Sequence, residues 1–287
     1  MATPILALHL GALGDFVLSW PALGLLAGAG EPHLWGRSEW GRLILPPERV
    51  HEREATRFAS LFAFQLDEDL TAWLGGFERA VVFAAHPPKE LLRNLSAVVP
   101  QVWEVKTRPD PGVLCHAGDM QLAQLCDLGL SGPAAPLAPR LPPAIPDSGV
   151  VLAPGSGGRD KRLGPELVAR LAGRLASEHG GITLLLGPAE DQAYAAKLIA
   201  ALEGIPHKVV HGLDVPEAAA LLAGASLYVG ADSGVTHLAA ALGAPCLAVF
   251  QSTSPMVWAP RGPRVRILGS IEAPLLDLSP PEPVMLD

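Results

Sequence analysis

The sequence predicts an α/β protein built from two parallel-sheet, Rossmann-like domains. Three observations carry that expectation. Short apolar runs alternate with helical patterns in both halves of the chain, which is the pattern of strands paired in parallel and covered by helices. A proline-dense stretch separates the halves. Each half also opens on a strand that runs into a glycine-bearing turn and then a helix, a geometry that gathers free N–H groups at one spot. The chain has 287 residues, 49% of them hydrophobic. That is more than one small core needs and suits two domains of ordinary size.

In the first half, Ile5 to Leu10 reads as a buried strand and Phe16 to Ala27 as a helix. His33 to Trp35, Ala80 to Ala84 and Val102 to Lys106 read as strands. His116 to Leu128 reads as a helix that stops at Gly129, a suitable C-cap. Ser131 to Ser148 then carries Pro133, Pro136, Pro139, Pro142, Pro143 and Pro146. No regular element survives that density, so this stretch reads as an interdomain linker. The expected domains are 1–140 and 141–287. In the second half the predicted strands are Val150 to Ala153, Ile182 to Leu186, Lys208 to Val210, Leu227 to Val229 and Cys246 to Phe250. The predicted helices are Pro165 to Ser177, Gln192 to Ala201, Pro216 to Leu222 and Ser233 to Leu242. Sheets of this kind take their ligands at the strand C-termini, here in a cleft between the two domains.

Charge and composition narrow the partners. The net charge is −8, which disfavours nucleic acid because duplex binding needs a basic footprint. Cys115, Cys126 and Cys246 are far apart and fit neither a metal spacing nor a disulfide framework. They read as buried thiols in a reducing cytosol. The apolar run at the N-terminus has no basic segment before it and does not read as a signal peptide. No apolar run reaches membrane-spanning length. The expected location is therefore cytoplasmic, with peripheral contact at a membrane's inner face compatible with the sequence.

Four segments carry candidate chemistry. In Gly11-Ala12-Leu13-Gly14-Asp15, Asp15 reads either as the N-cap of the helix starting at Phe16 or as a general base. The turn from Pro154 to Arg162 holds Ser156, Gly157 and Lys161. It is neither a Walker loop nor a dinucleotide fingerprint, since Asp160 stands where the third glycine belongs. Lys161 can still serve a phosphate as a point charge, or belong to a solvated loop. In Asp232-Ser233-Gly234-Val235-Thr236-His237, a helix N-terminus follows a strand, and Ser233 and Gly234 are the better phosphate binders. Asp232 reads alternatively as a cap and His237 as a satisfied core histidine. Thr253 to Pro260 reads as a rigid loop beside the ligand. Asp67-Glu68-Asp69 reads as a solvated helix start rather than a metal site, and no metal-ligand spacing is seen.

These segments, in this order, resemble the ADP-heptose:lipopolysaccharide heptosyltransferases, glycosyltransferase family nine. The resemblance rests on Gly11 to Asp15 with Ser19-Trp20-Pro21-Ala22-Leu23, on His116 to Leu130, on Pro154 to Lys161, on Asp232 to Pro245 and on Thr253 to Pro260. The chain departs from the family pattern at Leu163-Gly164-Pro165 and at His9. The resemblance implies a GT-B fold, with the acceptor on the N-terminal domain and a nucleoside-diphosphate sugar, expected to be ADP-linked, on the C-terminal one. It implies inversion at the anomeric carbon without metal or cofactor, and a cell-envelope glycolipid or polysaccharide acceptor. Asp15 would be the base. Ser156, Lys161 and the N–H groups near Ser233 and Gly234 would hold the departing diphosphate, His237 would assist at the phosphates, and Gly157 and Asp232 would belong to the donor site. Glu190 or Asp191 would bind the ribose, and Leu213 would line the adenine site. The other readings are a GT-B sugar-nucleotide epimerase, a non-catalytic nucleotide-binding protein and, more weakly, a nicotinamide oxidoreductase.

Overall fold

The computed structural model describes residues 2–132, 137–187, 192–269 and 278–283. Packing divides the chain into two units, Met1–Arg140 and Leu141–Asp287. The boundary is visible in the backbone. Arg140 N–H donates to Leu43 O of the first unit, whereas Ile145 and Ser148 N–H donate to Ala220 O and Gly224 O of the second. The later part of the proline-rich stretch, expected as linker, is thus fastened to the second unit. Part of that stretch, with Pro133 and Pro136, lies outside the described residues.

The first unit runs β1 (Pro4–His9), α1 (Leu13–Leu18), α2 (Trp20–Ala29), β2 (Glu31–Gly36), α3 (Ser38–Gly41), β3 (Val50–Glu52), α4 (Glu68–Leu74), β4 (Arg79–Ala84), α5 (Lys89–Ser96), β5 (Gln101–Lys106) and α6 (Ala117–Asp127). Its sheet order is β3-β2-β1-β4-β5, with every pair parallel. The second unit runs β6 (Gly149–Ala153), α7 (Pro165–His179), β7 (Ile182–Leu186), α8 (Gln192–Ala201), β8 (His207–His211), α9 (Val215–Ala223), β9 (Ala225–Ala231), α10 (Gly234–Ala241), β10 (Cys246–Val249), α11 (Pro255–Trp258) and β11 (Val265–Leu268). Its order is β11-β10-β9-β6-β7-β8, again all parallel. The expected fold class, two parallel-sheet α/β domains, is the one observed.

The sequence explains these elements locally. Parallel strands covered on both faces must be apolar throughout, and all five residues of β7 are buried. In α7, Leu167, Val168, Leu171, Ala172, Leu175 and Ala176 are buried, the i, i+4, i+8 stripe of a helix lying on a sheet. Pro165 opens that helix, and Gly180, at φ 81°, ends it in the left-handed region that suits glycine.

Two expectations are corrected. The helix foreseen over Phe16 to Ala27 is two helices, α1 and α2, broken at Ser19. Pro21 has no N–H and its ring would strike a carbonyl four residues back, so one continuous helix is not available. Only Cys246 is a buried thiol; Cys115 is half-buried and Cys126 exposed. Cys126 lies beside Leu125, whose side chain takes the buried face of α6. Burial pushes the Cys246 thiol up to about 12. The solvated helix start at Asp67 is observed, with Asp67 as N-cap accepting from Leu70 N–H.

Candidate functional site

Strand order picks out the edge where chemistry can gather. In an open parallel sheet the crevice lies at the strand C-termini, where the winding direction reverses. In the second unit that point falls between β6 and β9, because β7 and β8 continue one way and β9 to β11 the other. Ala153 pairs with Gly230, and Ala231 with Val249. The turn after β6, the turn after β9 and the loop after β10 therefore emerge side by side. In the first unit the same point falls between β1 and β4, and the Gly11–Asp15 turn leaves β1 there.

Asp232 is the centre of the second-unit cluster. Its side chain is 5% exposed, and Lys161 Nζ lies 2.8 Å from Oδ2. Thr253 Oγ1 donates to the same oxygen. His237 Nε2 stands 3.8 Å from Oδ1, beyond ordinary hydrogen-bond distance. Burial pushes the carboxyl up, but His237, Lys161 and Thr253 outweigh it and hold Asp232 at about 2. Asp232 is therefore ionised across the working pH range. Its backbone carbonyl accepts from Ser156 Oγ at 2.8 Å, which ties the two turns together. The reading of Asp232 as a helix cap gives way here, because Ser233 holds that position.

The first turn of α10 is fixed with equal care. Ser233 Oγ accepts from Thr236 N–H, and Thr236 Oγ1 donates to Ala231 O while contacting Tyr228 OH at 2.9 Å. Tyr228 crosses the strand where residue 230 has no side chain. A Cβ there would fall 2.3 Å from its hydroxyl, so glycine is required by close approach. The N–H groups of Gly234 and Val235 open the helix and have no intrahelical acceptor. His237 Nδ1 is buried without a hydrogen-bond partner.

The Pro154–Leu163 turn is held at both ends, while Gly157, Arg159 and Asp160 between them are exposed. Leu163 N–H donates to Pro154 O at 3.0 Å. Tyr194 OH donates to both Pro154 O and Leu163 O, a shared bond that clamps the turn's two ends. Arg162 Nε donates to Ser156 O at 3.0 Å and its guanidinium lies over the Tyr194 ring. The clamp directs Lys161 inward to Asp232 instead of out to water.

In the first unit, α1 starts at Leu13, so Ala12 and not Asp15 is the N-cap residue. The reading of Asp15 as N-cap of a helix starting at Phe16 is thus corrected. Asp15 occupies the third helical position and Oδ2 accepts from Ala12 N–H at 3.2 Å. The reciprocal half of a capping box is made without a side-chain oxygen at Ala12. A Cβ on residue 11 would meet Asp15 Cβ at 2.8 Å and His9 Cε1 at 2.9 Å, so Gly11 leaves the carboxylate its place. Asp15 is 11% exposed, with Arg108 NH2 at 3.9 Å from Oδ2.

Beneath it, Ser19 Oγ donates its one proton to Asp15 O. His9 Nε2, 3.2 Å away, must then donate to Ser19. Burial pushes the His9 imidazole down to about 3. Its ordinary value is 6.5, so the unfolded chain takes a proton between those pH values and the folded one does not. Stability is then complete above pH 6.5 and declines as pH falls toward 3. From pH 6.5 to 5 the loss attributable to His9 is about 2 kcal/mol. Five of the six tryptophans (Trp20, Trp35, Trp40, Trp73, Trp103) lie in the first unit, so urea unfolding followed by tryptophan fluorescence reports it. The midpoint is expected to drop over this window and to drop less in His9→Gln. An identical drop in both proteins would release His9 from the role.

The structure thus brings Ser156, Lys161, Asp232 and His237 into direct contact, with Ser233 and Gly234 on the adjoining helix turn. Gly157 is exposed in the clamped turn. Leu213 is half-buried after β8, immediately before the Asp214–Glu217 capping box that starts α9. It lies at the same sheet edge, two strands from β6. Glu190 and Asp191 lie outside the described residues. Thr253 and Arg162 fall at the ends of the Thr253–Pro260 and Pro154–Arg162 segments but have no individual role in the sequence reading; Tyr194 and Arg108 are ordinary surface residue types until the fold places them. Among the described residues no group of three or more His, Cys, Asp or Glu is placed to hold a metal ion, and no helix is long and apolar enough to cross a membrane.

Comparison with known proteins gives a consistent picture. The profile of glycosyltransferase family 9 (heptosyltransferase) matches residues 97–283. A curated relative, lipopolysaccharide heptosyltransferase 1 of Pseudomonas aeruginosa, is 38% identical over 85 residues. That match takes in 30% of this chain and only 23% of the relative's length. Among solved structures, the glycosyl transferase family 9 protein of Veillonella parvula aligns with a TM-score of 0.72 at 18% identity, over 94% of this chain and 88% of its own. The ADP-heptose LPS heptosyltransferase II of E. coli aligns at 0.70 and 19% identity, over 93% and 90%. At such identities the structures speak for the fold, the GT-B class of two parallel-sheet α/β domains.

Proposed function

The chain belongs to glycosyltransferase family 9, and from that premise we propose that it moves a heptose or similar sugar from an ADP-linked donor to a cell-envelope glycolipid or polysaccharide, inverting the anomeric carbon without a metal. The observation that supports this reading best is the Lys161–Asp232 pair at the switch point of the second sheet, beside the opening turn of α10. A cation and a helix N-terminus at one strand edge suit a departing diphosphate, where negative charge develops.

In this reading Asp15 removes the acceptor hydroxyl proton as that oxygen attacks the anomeric carbon. The bond from that carbon to the diphosphate oxygen breaks, and ADP leaves with the electron pair. Lys161 and the N–H groups of Gly234 and Val235 receive the charge, with Ser156, Ser233 and His237 shaping the pocket. Asp232 is itself an anion and serves by holding Lys161 in place. Leu213 follows β8, a strand about 10 Å from β6 across two strand spacings, a separation that a nucleotide spans between its phosphates and its base. The donors named for the E. coli relative support ADP as the nucleotide. The reading also carries the expectation of a cytoplasmic protein that meets its acceptor at the membrane's inner face.

The test is a melting panel with ADP, UDP, GDP, CDP and NAD, followed by transfer from an ADP-sugar. ADP alone is expected to raise the melting transition, since ligand at 100 times its Kd adds about 2.7 kcal/mol. Stabilisation by NAD and by none of the diphosphates would end the glycosyltransferase reading.

A further inference from the structure

The Thr253–Pro260 segment takes no part in the transfer steps proposed above, yet its first residue touches the centre of the cluster. Thr253 Oγ1 donates to Asp232 Oδ2, the same oxygen that Lys161 Nζ approaches at 2.8 Å. The two residues are 21 positions apart in sequence, and the sheet joins them. Asp232 N–H donates to Val249 O, and β10 then delivers the chain to Thr253. Beyond it, Ser254 and Pro255 begin α11, and a proline restricts the residue before it to extended backbone. Thr253 itself is β-branched and holds few rotamers. The hydroxyl is therefore presented from a stiff support.

A lone aspartate carboxylate has a broad, roughly two-fold preference for rotation about its last bond. Nothing in Lys161, a flexible point charge, would choose between the two oxygens. A hydroxyl that donates to one of them makes that choice. We propose that Thr253 is a positioning residue of the leaving-group pocket: it fixes the Asp232 carboxylate and thereby sets where the Lys161 ammonium stands to meet a nucleoside diphosphate. The inference rests on the donor reading above and adds to it how the cation is aimed. Thr253 need not touch the ligand. Its effect passes through Asp232, and it falls on the phosphates and not on the nucleoside.

Calorimetric binding of ADP and of adenosine to the full chain tests this, with Thr253→Val, Thr253→Ser, Asp232→Asn and the Thr253→Val/Asp232→Asn pair. Valine keeps the shape and loses the hydroxyl. Thr253→Val is expected to weaken ADP by about 5- to 20-fold, less than the roughly 10- to 150-fold that a direct hydrogen bond to a charged group is worth, because the hydroxyl acts through Asp232, with adenosine unchanged. Thr253→Ser is expected to restore ADP binding, because it returns the donor. In the Asp232→Asn background the valine substitution is expected to add nothing, since coupled residues are not additive. Transfer kinetics should show the loss in KM for the donor more than in kcat. Wild-type affinity for ADP in Thr253→Val, or a full additive loss in the pair, would overturn the assignment while leaving the donor reading intact. Equal affinity of the wild-type chain for ADP and adenosine would overturn both.

Discussion

Asp15→Ala is expected to lower transfer by about 10²–10⁴-fold, the range of a lost general base, while ADP affinity stays within a few-fold of wild type. The separation follows from what a base does. It interacts with the proton being moved in the transition state and with nothing in the nucleotide, so its loss falls on kcat and not on donor binding. The alanine variant has a structural cost as well, because Asp15 Oδ2 accepts from Ala12 N–H at the head of α1. Losing this exposed hydrogen bond costs about 0.5–1 kcal/mol. Asp15→Asn separates the two effects: its amide oxygen keeps the cap and cannot take a proton. Both variants should lose transfer, and only the alanine should melt earlier. An asparagine variant that still transfers at near wild-type rate would show the carboxylate to be a cap alone. Equal loss of ADP affinity in both variants would move Asp15 to donor binding or to folding.

The elements that sequence shows most clearly are those whose pattern is long or fully apolar. β7 and α7 are examples: one is buried at every position and the other carries a six-residue stripe. β3 has three residues, and β11 four that are only half-buried; neither supplies enough period to detect. The break at Ser19 was legible from Pro21 but was hidden by an apolar run that continued through it. The same division applies to the site. Lys161 and Asp232 stand out because charged residues interrupt glycine-bearing turns after strands, and His237 follows Asp232 within the next helix turn. That they pair with one another depends on β6 and β9 being neighbours, which is a property of sheet order and not of either turn. Tyr194 clamps the Pro154–Leu163 turn from α8, 31 and 40 residues away. Arg108 reaches Asp15 from the loop after β5. Such partners are set by long-range packing, and no local pattern marks them.

Lys161→Ala is expected to weaken ADP by at least about 1.5–3 kcal/mol, the worth of hydrogen bonds to a charged group, and to leave adenosine unaffected. The pairing with Asp232 makes the deletion more than the loss of one contact. Asp232 keeps the Thr253 hydroxyl and the neighbouring His237, but it loses the Lys161 ammonium while staying ionised, since its carboxyl is held near 2 only in part by Lys161. A nearly buried carboxylate is then left facing an incoming diphosphate, and like charges repel. The single variant should therefore lose more than the contact alone. Asp232→Asn placed on top of Lys161→Ala removes that repulsion and should recover part of the ADP affinity, even though Asp232→Asn by itself loosens the hold on Lys161 and weakens binding. This reversal of sign is a coupling that only neighbours sharing one charge balance can show. If the double variant binds ADP more weakly than Lys161→Ala does, Asp232 contacts the ligand directly and is more than the lysine's anchor. If ADP and adenosine weaken alike in Lys161→Ala, the ammonium does not serve the phosphates.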